Sequence, residues 1–423
     1  MDSKFSLNYT CYVIFFIGFK TKNSPTINKL FKNQSSFRLF QSLPLCFMNI
    51  SFNYINISVL VVLLLSVCVL LFYYFQYFLK LGTYKIKTDS NGLQLPISVV
   101  IAARNEYTNL EKNLKSILEQ DYPNFEVIVV NDCSWDESQK LLEYYQEVYP
   151  HLRICELKEQ EKYPTGKKFA LTMGIKSALN NNLIFTDADC KPASNQWLAL
   201  MASKYNTEKQ LVLGFSPYAF QSGFINLIAR FESAITAMFY FSAAIHKNTF
   251  MGVGRNLGYT KELFFKQKGF AWHQHLISGD DDLFVNRAAT PTNVSIQIDS
   301  ASFMYTESKK NFADWYSQKT RHNATGKFYK SSHKAFLGVF YAANLLFYVS
   351  IIALLIVALN LWQIVLGVYL VKLICQSVVY FLVFKKLKYQ NLTWFIIILD
   401  FLFVIYIYVF GTIGLFAKQR KMW

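Results

Sequence analysis

Residues 96–106 read Pro96-Ile97-Ser98-Val99-Val100-Ile101-Ala102-Ala103-Arg104-Asn105-Glu106, and residues 125–132 read Phe125-Glu126-Val127-Ile128-Val129-Val130-Asn131-Asp132. Each is a short apolar run that stops abruptly at polar side chains. Helical patterns lie between such runs, and the alternation predicts strand 97–103, helix 108–119, strand 125–130, helix 136–148, strand 152–157, helix 166–179 and strand 183–187. Alternation of this kind implies parallel βαβ units, hence a doubly wound, mostly parallel α/β sheet. Ligands of such sheets sit at the carboxyl ends of the strands. The polar residues cluster there: Arg104-Asn105-Glu106 after the first strand, Asn131-Asp132 after the second, Asp187-Ala188-Asp189 after the fourth.

The flanks have a different character. Residues 56–79 form an apolar run long enough to cross a hydrocarbon core of ~30 Å, and three more such runs follow at about 335–359, 361–384 and 393–417. The composition agrees with a soluble domain set among membrane spans: 53% of the 423 residues are hydrophobic, with 39 Phe and 27 Tyr. Residues 1–47 fit neither part, because the apolar stretch 11–19 is too short to span and carries no signal-peptide cleavage pattern; they read as a poorly ordered extension, or the chain starts at Met48.

The formal net charge of +16 raises the possibility of nucleic-acid binding. Much of the excess instead flanks apolar runs (Lys385, Lys386, Lys388 and the basic tail 418–423) or lies in the N-terminal stretch. Charge so placed sets topology and meets anionic lipid, so a nucleic-acid partner is not expected. The seven cysteines are scattered without a Cys-x-x-Cys pair and read as reduced thiols.

Asp187-Ala188-Asp189 closes an apolar strand and sets two carboxylates at its tip, the donor type that Mg²⁺ or Mn²⁺ takes when phosphates and water complete its shell. Asp132 ends another strand. Ser134, with Glu137 three residues later, is the expected cap of the next helix, which leaves Asp132 open to a nucleobase or ribose. Gly166-Lys167-Lys168 opens a helix whose free amides favour anions, and Lys167 is either a phosphate or ribose contact or a solvated side chain. Ser278-Gly279-Asp280-Asp281-Asp282-Leu283 crowds three carboxylates, which raises at least one pKa unless a cation intervenes; one member is a candidate base, and Asp282 a helix N-terminal residue that orients the others. Gln318 and Arg321 share a helical face, with His322 beside them.

Taken in order, Pro96 to Glu106, Val129-Val130-Asn131-Asp132, Gly166-Lys167, Asp187-Ala188-Asp189, Gly279 to Asp282 and Gln318-x-x-Arg321-His322 resemble the inverting family-two glycosyltransferases of GT-A fold, over about residues 95–330. The resemblance implies a nucleotide-sugar donor (a UDP- or GDP-sugar), a lipid or saccharide acceptor and a divalent metal. It assigns the nucleobase to Asp132, the metal to Asp189, the diphosphate or ribose to Asp187, and the base role to Asp280, aligned by Asp280-x-Asp282-Leu283, with Asp281 as the alternative. Arg104, Glu106, Lys167 and Arg321 complete the candidate donor set, and Gln318 and His322 the acceptor or gating set. Two positions depart from the pattern. Gly279 stands where the Thr-Glu-Asp form has Glu, and His322 replaces a Trp associated with gripping a growing polymer, which puts processive synthesis in doubt.

The competing reading is a non-catalytic membrane scaffold, whose acidic motifs would be eroded; here they are intact. Absence of a glycine-rich loop after the first strand speaks against a sugar nucleotidyltransferase, and four spans leave little room for a pore. The stretch 224–246 reads equally as a membrane-surface helix or as core. The basic loop at Lys385 points to a catalytic domain in the cytoplasm, at a bacterial inner membrane. Counting four spans puts the basic tail on the other side, so one of the three C-terminal segments could be re-entrant. Lys372 and Asp400 lie inside spans, where ionisable groups pair, and a salt bridge between them is expected.

Overall fold

The computed structural model describes residues 54–86, 94–158 and 166–416. The extension 1–47, Met48 and the basic tail 418–423 lie outside these residues. The chain enters through helix α1 (Tyr54–Phe72), which continues through a π-helical turn (Tyr73–Phe78) into α2 (Leu79–Gly82). The alternating elements follow: β1 (Ile97–Ala103), α3 (Tyr107–Leu118), β2 (Phe125–Asp132), α4 (Ser138–Val148), β3 (Leu152–Leu157), α5 (Lys167–Ser177) and β4 (Asn182–Asp187). Then come β5 (Cys190–Pro192), α6 (Trp197–Ala202), β6 (Leu211–Leu213), α7 (Phe224–Ile245), β7 (Leu257–Thr260), α8 (Lys261–Lys266), α9 (Asp282–Ala288), β8 (Val294–Ile296), β9 (Met304–Thr306) and α10 (Phe312–Asn323). Helices α11 (Ser331–Val357), α12 (Trp362–Lys386) and α13 (Ile396–Phe416) complete the chain.

Seven strands form one sheet in the order β3-β2-β1-β4-β7-β6-β8. The first four are parallel, as their spacing in the sequence implies, whereas β7 runs antiparallel to both β4 and β6. Every residue of β1 is buried. Helix α5 lies so close to the sheet that a Cβ on Gly174 would sit 2.7 Å from Val100 and 2.8 Å from Val130, so only glycine admits this approach. Expected and observed element ends agree within two residues: β2 ends two residues later than read, α4 starts two later and α5 ends two earlier.

Among the described residues, four helices are long and apolar enough to cross a membrane: Tyr54–Gly82, Ser331–Val357, Leu359–Lys386 and Gln390–Ile413. Helix α7 is held between them and the sheet, which resolves its two readings toward packing. Phe239 meets Phe78 and Phe340, Phe231 meets Phe384 and Phe403, and Tyr240 donates to the Gly214 carbonyl at 2.9 Å. The loop after α12 lies on the catalytic-domain side: Lys386 reaches the Tyr84 carbonyl (2.6 Å), Arg230 donates to Asn391 (3.1 Å) and Tyr389 donates to the Tyr218 carbonyl (3.0 Å). Deep in the bundle Lys372 and Asp400 pair at 2.6 Å, both buried. The five described cysteines are free thiols.

Candidate active site

The tips of β1 and β2 are laced together. Asn105, at φ 55°, donates its amide to Ser134 Oγ (2.9 Å) and accepts the Trp135 amide on its side-chain oxygen (3.0 Å). The Arg104 guanidinium lies 5.8 Å from the Trp135 ring centre. This corrects the expected cap. Because α4 begins only at Ser138, Ser134 is too far upstream to reach its first amides, and Asp136 accepts from Ser138 instead (3.1 Å). Asp132 is completely buried, where the sequence read it as open.

The centre of the site is an ion-pair bridge. Lys167, the first residue of α5, lies 2.8 Å from Asp187 at the tip of β4 and 3.3 Å from Asp280 in the loop before α9. This joins two acidic motifs far apart in the chain and excludes the solvated alternative for Lys167. Burial works against the Asp280 charge, yet the Lys167 ammonium holds its pKa below the usual carboxylate value. Asp281 goes the other way: burial, then Asp280 and Asp282, push it up to about 7. Its two oxygens accept the Gly254 amide (2.9 Å) and the Asp282 amide (2.7 Å). Asp282 opens α9, as read; its carboxylate accepts the Leu283 amide (2.7 Å) and also the Tyr329 (2.8 Å) and Thr325 hydroxyls, which ties α9 to the approach to α11. Lys167, Thr186, Asp187, Gly254, Asp280 and Asp281 line a shallow cleft.

The acidic loop is braced from beneath. Lys168 donates to the carbonyls of His273 (2.8 Å) and Leu276 (2.9 Å), and the His273 ring bonds the Gly279 carbonyl (2.7 Å). Gly279 has φ 100°, and a Cβ there would lie 2.5 Å from Leu283, which accounts for glycine in place of the Glu of related motifs. Gly279→Ala is therefore expected to lower stability by about 1–3 kcal/mol, read as a fall in thermal midpoint. Wild-type stability would show that the turn does not need this conformation.

Asp189 accepts from the Cys190 thiol (3.2 Å). Glu106 stands close enough that burial, with Asp189 and Asp187, raises its pKa against the opposing bond from Asn109. Among the described residues no three His, Cys, Asp or Glu side chains converge into a closed cage. Two carboxylates on a strand tip, Asp187 and Asp189, fit a hard divalent ion that draws its other ligands from phosphate and water.

Helix α10 delivers its last turn to this loop, where the Arg321 carbonyl accepts from Ser278 (3.2 Å). Gln318 is half-buried, and Arg321 and His322 are exposed at this end of the helix. Sequence reading missed Lys319, whose ammonium pairs with Glu232 of α7, and Arg255. Arg255 follows Gly254, the residue that grips Asp281. The run Gly252-Val253-Gly254-Arg255-Asn256, a glycine-rich turn around an arginine, was the available signal.

Residues 98–266 match the family described as Glycosyl transferase family 2. The glycosyltransferase AglE of Haloferax volcanii is 30% identical over 199 residues, 45% of this chain and 60% of AglE. The 4,4'-diaponeurosporenoate glycosyltransferase of Staphylococcus aureus is 25% identical over 169 residues, 40% of this chain and 42% of that protein. The chain thus spans under two thirds of the length of these relatives. Among solved structures, a mannosyltransferase of Pyrobaculum calidifontis in complex with GDP-Man and Mn²⁺ shares the fold at a TM-score of 0.53 and 15% identity, over 83% of this chain and 99% of that one.

Proposed function

We propose that this chain, whose residues 98–266 match the family described as Glycosyl transferase family 2, is a membrane-anchored inverting glycosyltransferase acting on a lipid or saccharide acceptor. The observation that carries the reading is the Lys167 bridge, which draws the β4-tip carboxylates and the acidic loop to one cleft at the carboxyl ends of the strands. A neighbour of the same fold is solved with GDP-Man and Mn²⁺, in keeping with a nucleotide-sugar donor and a divalent ion here.

In this mechanism Asp189, with Asp187 beside it, would hold Mg²⁺ or Mn²⁺, which when bound would supply positive charge against the leaving diphosphate. The acceptor oxygen attacks the anomeric carbon as the bond from that carbon to the diphosphate oxygen breaks, and the acceptor proton passes to the Asp280 carboxylate. Lys167 keeps Asp280 ionised for this role. Arg104, Glu106, Asp132 and Arg321 complete the donor site, and Gln318 and His322 line the acceptor side. Without the tryptophan of polymer-gripping members, a single transfer per encounter is favoured. The basic Lys385–Asn391 loop on the catalytic-domain side supports a cytoplasmic domain, where nucleotide sugars are made, at a bacterial inner membrane.

Membranes carrying the chain, incubated with a panel of UDP- and GDP-sugars, are expected to release nucleoside diphosphate from at least one donor. Chelation with EDTA should stop release and added Mn²⁺ or Mg²⁺ restore it. No release from any donor, or release indifferent to chelation, would overturn this reading, the first outcome in favour of a scaffold.

A further inference from the structure

Arg255 has an unusual electrostatic position. Its Nε donates to Ser216 Oγ at 3.0 Å, and its terminal nitrogens make only long contacts to the Tyr218 hydroxyl (3.4 Å) and the Ser216 carbonyl (3.5 Å). All these partners are neutral, and Arg255 forms no ion pair among the described residues. A guanidinium carries five donors, so its outer edge keeps capacity for another acceptor. A partly buried cation without a direct ion pair is expensive to hold, and beyond the field of Asp189 a bound anion would supply the charge it lacks.

The side chain is also held in place before any ligand arrives. Gly254 on one side is anchored by its bond to Asp281. Asn256 on the other is locked into the core, accepting from Trp197 (3.0 Å) and donating to the Phe215 (2.8 Å) and Ser302 (2.9 Å) carbonyls. The guanidinium stacks 5.0 Å from the Tyr218 ring centre, and its charge reaches Cys190 and Asp189. Tyr218 in turn belongs to one buried cluster with Trp315 and with Tyr406 and Phe410 of the last apolar helix. The cation therefore stands between the expected metal carboxylate and an aromatic cluster that continues into the membrane-length helices.

We infer that Arg255 is an anion-binding residue of this site and takes a phosphate group of a substrate. The inference rests on the proposed transfer reaction for the identity of that substrate. The phosphate is either the donor's diphosphate or one carried by an amphiphilic acceptor arriving along the Tyr218–Phe410 cluster. In both cases a forked guanidinium gives the geometry that a lysine lacks.

The test uses the full chain in phosphatidylcholine nanodiscs, with Arg255→Gln and Arg255→Lys compared to wild type at matched thermal midpoint. Binding is measured for GDP and UDP with Mg²⁺, for guanosine and uridine, and for dodecyl phosphate against dodecanol. Arg255→Gln is expected to weaken a phosphate-bearing probe by about 10- to 100-fold and leave the phosphate-free counterparts unchanged, with Arg255→Lys between. Loss confined to GDP or UDP assigns the donor diphosphate; loss confined to dodecyl phosphate assigns an anionic acceptor. Affinities within about twofold of wild type for every phosphate probe would overturn the inference, and if Arg255→Gln does not fold, the same result in Arg255→Lys would do so. These binding measurements need no turnover, so a wild type that transfers no sugar refutes the enzyme reading without touching the anion site.

Discussion

Asp280→Asn is expected to bind nucleoside diphosphate as wild type does and to lose at least about 10²-fold in transfer rate. Asparagine keeps the shape of the carboxylate but cannot accept the acceptor proton, and Lys167 retains Asp187 at 2.8 Å, so the donor side of the cleft stays assembled. Asp189→Ala should behave differently, weakening metal-dependent donor binding and abolishing turnover together, because the diphosphate loses its cation. Asp281 is the rival for the base role, and its pKa near 7 would suit one. Its oxygens, however, each hold a backbone amide, and replacing one with an amide nitrogen sets donor against donor. Asp281→Asn is thus expected to lower stability by about 1–3 kcal/mol. Calorimetry for donor affinity, transfer rates and thermal midpoints separate the cases. Near-normal transfer in Asp280→Asn, with transfer lost in a fully stable Asp281→Asn, would move the base one residue along; no effect from either would refute the displacement mechanism.

Asp400→Leu is expected to destabilise the membrane bundle by about 3 kcal/mol, since it leaves the Lys372 ammonium unpaired inside a span. Lys372→Met should be milder: Asp400 would still accept from Tyr348 (2.7 Å) and Gln376 (2.6 Å). The double variant Lys372→Met with Asp400→Leu should recover most of the loss, because no charge then remains to be desolvated. Thermal midpoints in detergent and the folded yield in membranes report all three. Single variants within about 0.5 kcal/mol of wild type would mean that the 2.6 Å pair contributes nothing to stability.

Runs such as Ile97–Ala103 and the patterned helices between them were readable because a short continuous apolar run and helical periodicity are local properties, set by what each residue's neighbours in sequence allow. The same holds for the four membrane-length segments, where length and apolarity alone satisfy the physics of the bilayer. The placement of Asp187 was legible for a related reason: a polar residue that ends a buried strand falls at its tip. The pairing of Lys372 with Asp400 was foreseeable because hydrocarbon gives an ionised side chain no other partner.

Ser134 shows where local reasoning stops. Its spacing to Glu137 fits a capping box, but the helix starts later and the hydroxyl is taken by Asn105 from the neighbouring strand tip, a competition that no window of sequence displays. Asp132 was read as open for the same reason and is buried. Asp282 opens its helix as read, but the bonds it accepts from Thr325 and Tyr329 come from a distant segment. Arg255 escaped notice because its meaning lies in partners supplied by Ser216, Tyr218 and the Asp189 loop, brought together only when β6 and β7 join the sheet. Sequence by itself determined the element types, the soluble and membrane-length parts and the acidic tips, all of which follow from local sterics and hydrophobicity. Tertiary structure alone decided which charges face each other across the cleft, because a Coulomb interaction depends on distance in space and burial, and neither is a function of distance along the chain.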